Sequence, residues 1–320
     1  MFRNLSTFGL PLSGRPSELI EMALSFGFDA MDVDLLDLER QASVYGLEHA
    51  RRLMVSARLE SGMFQLPVDI SADEETFAKD LEALPARLDL ARDAEAPRAF
   101  ATLAPASESL SFKDNFELHR TRLDTIGGLL AERGIKLALA VQPEAELRNE
   151  LPHQFIHTLE GLLGLVAVSH EQVGVVVDPF AMHVAGEPLT MLKDVPSEKF
   201  IELRVSDAPA GGDAASLAVA DRLLPGETGT INLVELLKAT EQAGFDGCVT
   251  PWAARKTLAG KGREKIVRAV GERLQKAWAE AGLPEEPRWF MPAQQEPTED
   301  GEPPAPLTPP ATPTPASTPA

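Results

Sequence analysis

The 320-residue chain predicts an α/β protein of the (β/α)8 TIM barrel type, a single domain over residues 1–283 followed by a disordered, proline-rich acidic tail over 284–320. Three observations carry this expectation. Short β-type runs alternate with helical patterns along the whole body, and there are eight of them. Eight is the strand count that closes a parallel sheet into a barrel filled by its own side chains. No G-x-G-x-x-G turn follows the first strand, which weighs against the rival, an open doubly wound sheet with a dinucleotide site.

The elements follow in order. "NLSTFG" (4–9) is the first strand, and "PSELIEMALSFG" the first helix, with Leu19, Ile20, Met22 and Ala23 on one stripe and a stop at Gly27. "DAMDVDL" (29–35), "GMFQLP" (62–67) and "RAFATL" (98–103) supply strands two to four. "NFELHRTRLDTIGGLLAERG" sets Leu118, Leu123, Ile126, Leu129 and Leu130 on a helical face, with Gly134 as its C-cap. "IKLALAV" (135–141), "QVGVVVD" (172–178) and "KFIELRVSD" (199–207) are strands five to seven. "NLVELLKATEQAG" repeats the helical scheme and closes at Gly244, before strand eight, "GCVTPW" (247–252). Each helix returns the chain to the same end of the sheet, so the strands run parallel.

The segment from Pro284 onward holds 12 of the 26 prolines and few apolar residues. It cannot bury enough surface to offset its ordering entropy and reads as a partly polyproline-II tail. Its "RWFM" (288–291) is a patch that could fold back on the body.

A formal charge of −19 excludes nucleic acid and anionic membrane as partners, because phosphates are repelled. A single cysteine, Cys248, excludes an internal disulfide and a cysteine-rich zinc site and fits a reducing compartment. The N-terminus lacks the apolar core of a signal peptide, and no run reaches the ~18 apolar residues of a membrane span. The expectation is a soluble cytoplasmic protein, with a homo-oligomer left open.

Chemistry in such a barrel sits where strands end and βα loops begin. Asp32 or Asp34, Gln65, Ala140, Asp178, Arg204 with Asp207, and Trp252 occupy those positions.

"NLSTFGLP", "GFDAMDVDL", "DNFELHRTRL", "RGIKLAL", "HQFIHTLEGLLGL", "VGVVVDPF", "VSDAPAG", "LPGETGTINLVELL" and "AGFDGCVT", in this order, resemble the xylose-isomerase-like sugar phosphate isomerase/epimerase barrels. The resemblance spans nearly the whole body and omits the tail. It implies a divalent ion (Mn, Mg, Co or Zn) held by a glutamate from strand five, an aspartate from strand six, a histidine from strand seven and a glutamate from strand eight. A further histidine often stands three residues after the aspartate. The implied chemistry is proton abstraction beside a carbonyl, with the metal stabilising an enediolate.

Carried over position by position, one ligand of four remains. Asp178 is retained, whereas Ala140, Ala181, Arg204 and Trp252 stand where the resemblance asks for ligands. A lone carboxylate does not hold a divalent ion tightly, and a nearby arginine opposes it by like-charge repulsion. Rebuilding the site would need His183, Glu144, Glu146 or Glu202, the last placed deeper in the barrel than Arg204 by the two-residue repeat. The reading of Asp178 and Arg204, the two candidate catalytic residues, is that the guanidinium replaces the metal and pairs with the carboxylate.

Arg148, His153 and His157 match positions lining the loop after strand five, where they serve either ligand or loop capping. Asp207, Arg222 and Glu227 are candidate ligand contacts, with Pro225, Gly226 and Gly229 as turn punctuation. Trp252 either stacks on a sugar or plugs the cavity. His49, His119 and His170 read as surface or satisfied core groups, and Cys248 as inert packing.

Three functions stay open. The first is a catalytically degenerate barrel that binds a small sugar or related ligand without a cofactor. The second is an active isomerase or epimerase using a rebuilt or metal-free site, with Asp178 as base and Arg204 stabilising the enediolate. The third is a scaffold acting through its tail.

Overall fold

The structure is a computed structural model and describes residues 1–284; the tail and its "RWFM" lie outside the described residues. Eight parallel strands form one curled sheet: β1 (Phe2–Leu5), β2 (Ala30–Met31), β3 (Glu60–Ser61 and, after two residues, Phe64–Gln65), β4 (Arg98–Thr102), β5 (Lys136–Ala140), β6 (Val173–Val177), β7 (Phe200–Val205) and β8 (Cys248–Pro251). The first piece of β3 pairs with β2 and the second with β4, so this one segment closes the ring. β1 pairs with both β2 and β8. Strands three to eight fall within two residues of where the alternating pattern places them; the first, expected over 4–9, lies at 2–5, and the second, expected over 29–35, is confined to 30–31.

The helices are α1 (Pro16–Ser25), α2 (Leu35–Tyr45), α3 (Leu47–Ala57), α4 (Glu74–Asp93), α5 (Phe112–Ala131), α6 (Leu159–Val166), α7 (Pro179–Ala185), α8 (Leu233–Gln242), α9 (Arg255–Leu258) and α10 (Arg263–Glu280). Their apolar stripes pack on the outer faces of the strands; Leu123, Ile126 and Leu130 of α5 are fully buried, and the chain turns at Gly134 with φ +65°. No helix among the described residues is long and apolar enough to cross a membrane.

The alternate residues point into the barrel. There Phe2, Ala30, Met63, Phe100, Ala138, Val176, Ile201 and Cys248 form a compact apolar cluster with a member from each strand, counting Met63 with the segment of β3. Burial pushes the Cys248 thiol up, consistent with an unreactive packing role. Above this layer the inward positions turn polar (Asn4, Asp32, Glu202, Arg204 and Thr250, all buried), and buried polar groups of this kind must find partners. They do so at the C-terminal ends of the strands.

Candidate ligand site at the barrel mouth

Asp178 ends β6 and caps α7, accepting from the backbone N–H of Phe180 and Ala181 at 3.1 and 3.3 Å. Its counter-charge is Arg222. One guanidinium nitrogen donates to both carboxylate oxygens, at 2.6 and 2.9 Å, and to Ser206 Oγ at 3.1 Å. The guanidinium also stands 4.3 Å from the centroid of the Phe180 ring and 3.8 Å from Glu144 Oε1. Arg222 has little freedom to leave, because its own carbonyl accepts from Ala254 N and Thr257 Oγ1 of the loop after β8.

The expected pairing of Arg204 with Asp178 is therefore corrected. Arg204 turns down the barrel to Glu202, two residues earlier on the same face, with Nε donating to Oε2 at 3.3 Å. Its guanidinium lies 3.9 Å from the centroid of Trp252 and 5.0 Å from that of Phe100, which meet edge-to-face at 6.0 Å. Cation–π contact with two rings recovers interaction that a desolvated cation would lose. Trp252 reaches this position over Gly9, where a Cβ would come within 2.5 Å of its ring. The indole is half-buried, and with Phe8, Phe100 and Arg204 it occupies the mouth of the barrel. The guanidinium paired with Asp178 comes from the loop after β7, not from β7 itself.

Two buried carboxylates lack full partners. Glu144, just past β5, has Oε2 without a hydrogen-bond partner, and burial raises its pKa despite Arg222 nearby. Glu202 likewise leaves Oε1 unpartnered, as does Asn4 its Oδ1. Asp32 is better served: it accepts from Asn4 Nδ2 at 2.7 Å, Ser6 Oγ at 2.5 Å and Met63 N at 3.1 Å. Even so, burial, with Glu202 adding its charge, pushes its pKa up to about 6 against the pull of these hydrogen bonds. A Cβ at Gly62 would collide with Asn4 Oδ1, so that glycine admits the network.

The remaining sequence candidates sit as follows. Asp207 accepts four backbone N–H groups, from Ala208, Thr228, Gly229 and Ile231, at 2.7–2.9 Å. Burial alone would raise its pKa, but these donors outweigh it and hold the carboxyl below its usual range. It is a knot that fixes the loop carrying Arg222. Glu227 is exposed and accepts from Leu224 N at 3.1 Å. Arg148 donates to Pro143 O and Gln154 Oε1, His153 lies in a two-residue antiparallel ribbon with Ser107, and His157 bonds Phe155 O at 2.7 Å. These three stabilise the loop after β5. Glu146 Oε1 accepts from Val219 N, and His183 lies in the last turn of α7, outside the Asp178 hydrogen-bond shell.

Beside the plug, at the ends of β2, β3 and β4, a cavity of about 530 Å³ is bounded by Phe8, Phe100, Gln65, Thr102, Asp34 and Asp69. Sequence reasoning named Gln65 and Asp34 singly and missed the cavity. It also missed Asn4 and Ser6, although both share the inward face of strand one by the two-residue repeat.

The donor set at the expected metal positions is a methyl, a methyl, a guanidinium and an indole around one carboxylate whose two oxygens are already taken. That set does not fit a divalent ion, and among the described residues no group of three or more His, Cys, Asp or Glu is arranged to hold one.

Fold and site define a closed parallel barrel with a polar mouth at the carboxyl ends of its strands. The chain belongs to the xylose-isomerase-like TIM barrel family, whose model matches residues 20–276. Among solved structures it is similar to a xylose isomerase domain protein from Alicyclobacillus acidocaldarius (25% identity, TM-score 0.79, covering 88% of this chain and 99% of that one). It is also similar in fold to D-psicose 3-epimerase with D-tagatose from Clostridium cellulolyticum H10 (14%, TM-score 0.68, 88% and 99%). A third similar structure is IOLI protein with a bound zinc atom (16%, TM-score 0.70, 88% and 98%). Comparison with curated proteins finds no match.

Proposed function

We propose that this protein is a catalytically degenerate member of its family that binds a small sugar or related polyhydroxyl compound at the barrel mouth. The observation that carries the reading is the Arg222 guanidinium held at 2.6 Å on the carboxylate of Asp178. A fixed cation there repels a divalent ion and satisfies the one retained ligand. The cavity beside Gln65 supplies what a neutral polyol needs. Phe8 and Phe100 offer apolar faces to ring C–H groups, and Gln65, Thr102, Asp34 and Asp69 offer hydrogen bonds to hydroxyls. Its two acids disfavour an anionic ligand at that spot. The similarity in fold to D-psicose 3-epimerase with D-tagatose supports a sugar as the ligand class.

The test combines metal analysis of the purified protein with a ketose epimerisation and aldose–ketose isomerisation panel, run with and without chelator. Substoichiometric Mn, Co, Zn and Mg and no turnover above background support the reading. Stoichiometric metal with chelator-sensitive turnover overturns it.

A second reading rests on Glu144, whose unpartnered Oε2 stands beside the Arg222 cation. A carboxylate so placed suits a metal-free base, with Arg222 facing the developing enediolate. Exchange of a substrate C–H proton into D2O that survives chelation and is lost in Glu144→Gln would favour it.

A further inference from the structure

The chain carries 49 acidic against 30 basic residues, yet residues 255–268, "RKTLAGKGREKIVR", hold six cations and one acid. The fold wraps this segment around a cavity. Leu10 and Ser13 from the loop after β1 face Arg255, Leu258, Lys261 and Arg263 across a space of about 720 Å³. Because β1 and β8 are neighbours, the cavity opens on the C-terminal face of the barrel, next to the mouth but outside it. Its walls bear no carboxylate, whereas the cavity beside Gln65 carries Asp34 and Asp69.

Two of the three lining cations are not consumed internally. Arg263 is shared with Glu18 at 2.6 Å and with Ser13 O at 2.9 Å, which fixes its guanidinium across the rim. Gly14 leaves room for that crossing, since a Cβ there would collide with Arg263. Arg255 and Lys261 are exposed and make no ion pair or side-chain hydrogen bond among the described residues. The floor is dry: Leu10, Leu258 and Ile266 are 1%, 7% and 5% exposed. Lys261 stands between Gly260 and Gly262, and nothing lies within 4 Å of where a Cβ on either would be, so the backbone ahead of α10 is open to a ligand. At ~0.1 M salt charges are screened over ~10 Å. Thus this local excess of cations, not the remote acidity of the chain, sets the potential in the cavity.

We infer that this cavity is an anion site for the phosphate group of a small organic molecule, with Arg255 and Lys261 as its contacts and Arg263 as a fixed wall. The site is independent of the Asp178–Arg222 centre and stands whether that centre is inert or catalytic.

Isothermal titration calorimetry of the full chain with inorganic phosphate, glucose 6-phosphate and glucose tests it. Both phosphates are expected to bind saturably, more weakly at higher salt, and the sugar phosphate more tightly than inorganic phosphate if the apolar floor receives the carbon skeleton. In Arg255→Ala/Lys261→Ala, with both side chains unpaired and exposed, melting should be unchanged while affinity for either phosphate falls about tenfold or more. Absence of saturable phosphate binding at low salt, or unaltered binding in the double variant, overturns the assignment. A salt-insensitive affinity does the same.

Discussion

Two buried arginines serve their acids in opposite ways. Arg222 arrives on a loop, meets both oxygens of Asp178 through one terminal nitrogen that also donates to Ser206, and lays its flank over Phe180. Arg204 is rooted in β7, meets Glu202 at 3.2–3.3 Å with poor alignment and presses its flat face on Trp252 instead. The first is chiefly a charge pair, the second chiefly a stack with a charge attached. Removing a cation should therefore hurt more at Asp178 than at Glu202.

The largest effect is expected for Arg222→Met, which removes the counter-charge of Asp178 and the cation beside Glu144. A loss of about 3–5 kcal/mol in urea unfolding is expected, and a loss below about 1 kcal/mol would refute the pairing as a stabilising contact. Next is Asp32, a buried acid with no guanidinium of its own. Its folded pKa is raised from 3.8 to about 6, so the folded state holds the proton more tightly than the unfolded chain. The stability this confers is full at acid pH and is lost as pH rises through about 6. Relative to Asp32→Asn, the wild type should lose up to about 3 kcal/mol between pH 4 and pH 7; parallel pH–stability curves would show that Asp32 does not titrate there.

Arg204→Met should cost about 2–3 kcal/mol: the thioether still packs on Trp252, while Glu202 loses the one side-chain hydrogen bond its carboxylate has among the described residues. Double-mutant cycles sharpen the contrast. Asp178→Asn should couple to Arg222→Met by about 1–3 kcal/mol and add to Arg204→Met within about 0.5 kcal/mol. Strong Asp178–Arg204 coupling would restore the pairing expected from strand position. The smallest effect belongs to Glu227→Ala, an exposed loop acid with one backbone bond, at about 0.5 kcal/mol or less in thermal unfolding.

The barrel was legible because its information is local. Alternating β runs, glycine stops and a parallel count of eight need no knowledge of side-chain partners, and strands three to eight lie where their patterns put them. The side chains at the expected ligand positions could also be named from the sequence, since Ala140, Arg204 and Trp252 are read directly at strand ends. The counter-ion of Asp178 was not. Strand order makes Arg204 its neighbour, but Arg222 lies 44 residues away on a path set by the Asp207 knot and the Asp207–Leu223 bridge. Long-range electrostatic pairing depends on loop trajectory, which has no periodicity to read. The same holds for the cavity beside Gln65, whose walls come from three consecutive βα connections.

Ala254 N and Thr257 Oγ1 grip the carbonyl of Arg222, so two successive crossover segments are stitched together across the top of the barrel. Anyone seeking to retrofit an ion centre here by restoring side chains on the strands would find the seat already occupied by a tethered guest. Such a redesign has to begin by cutting that stitch.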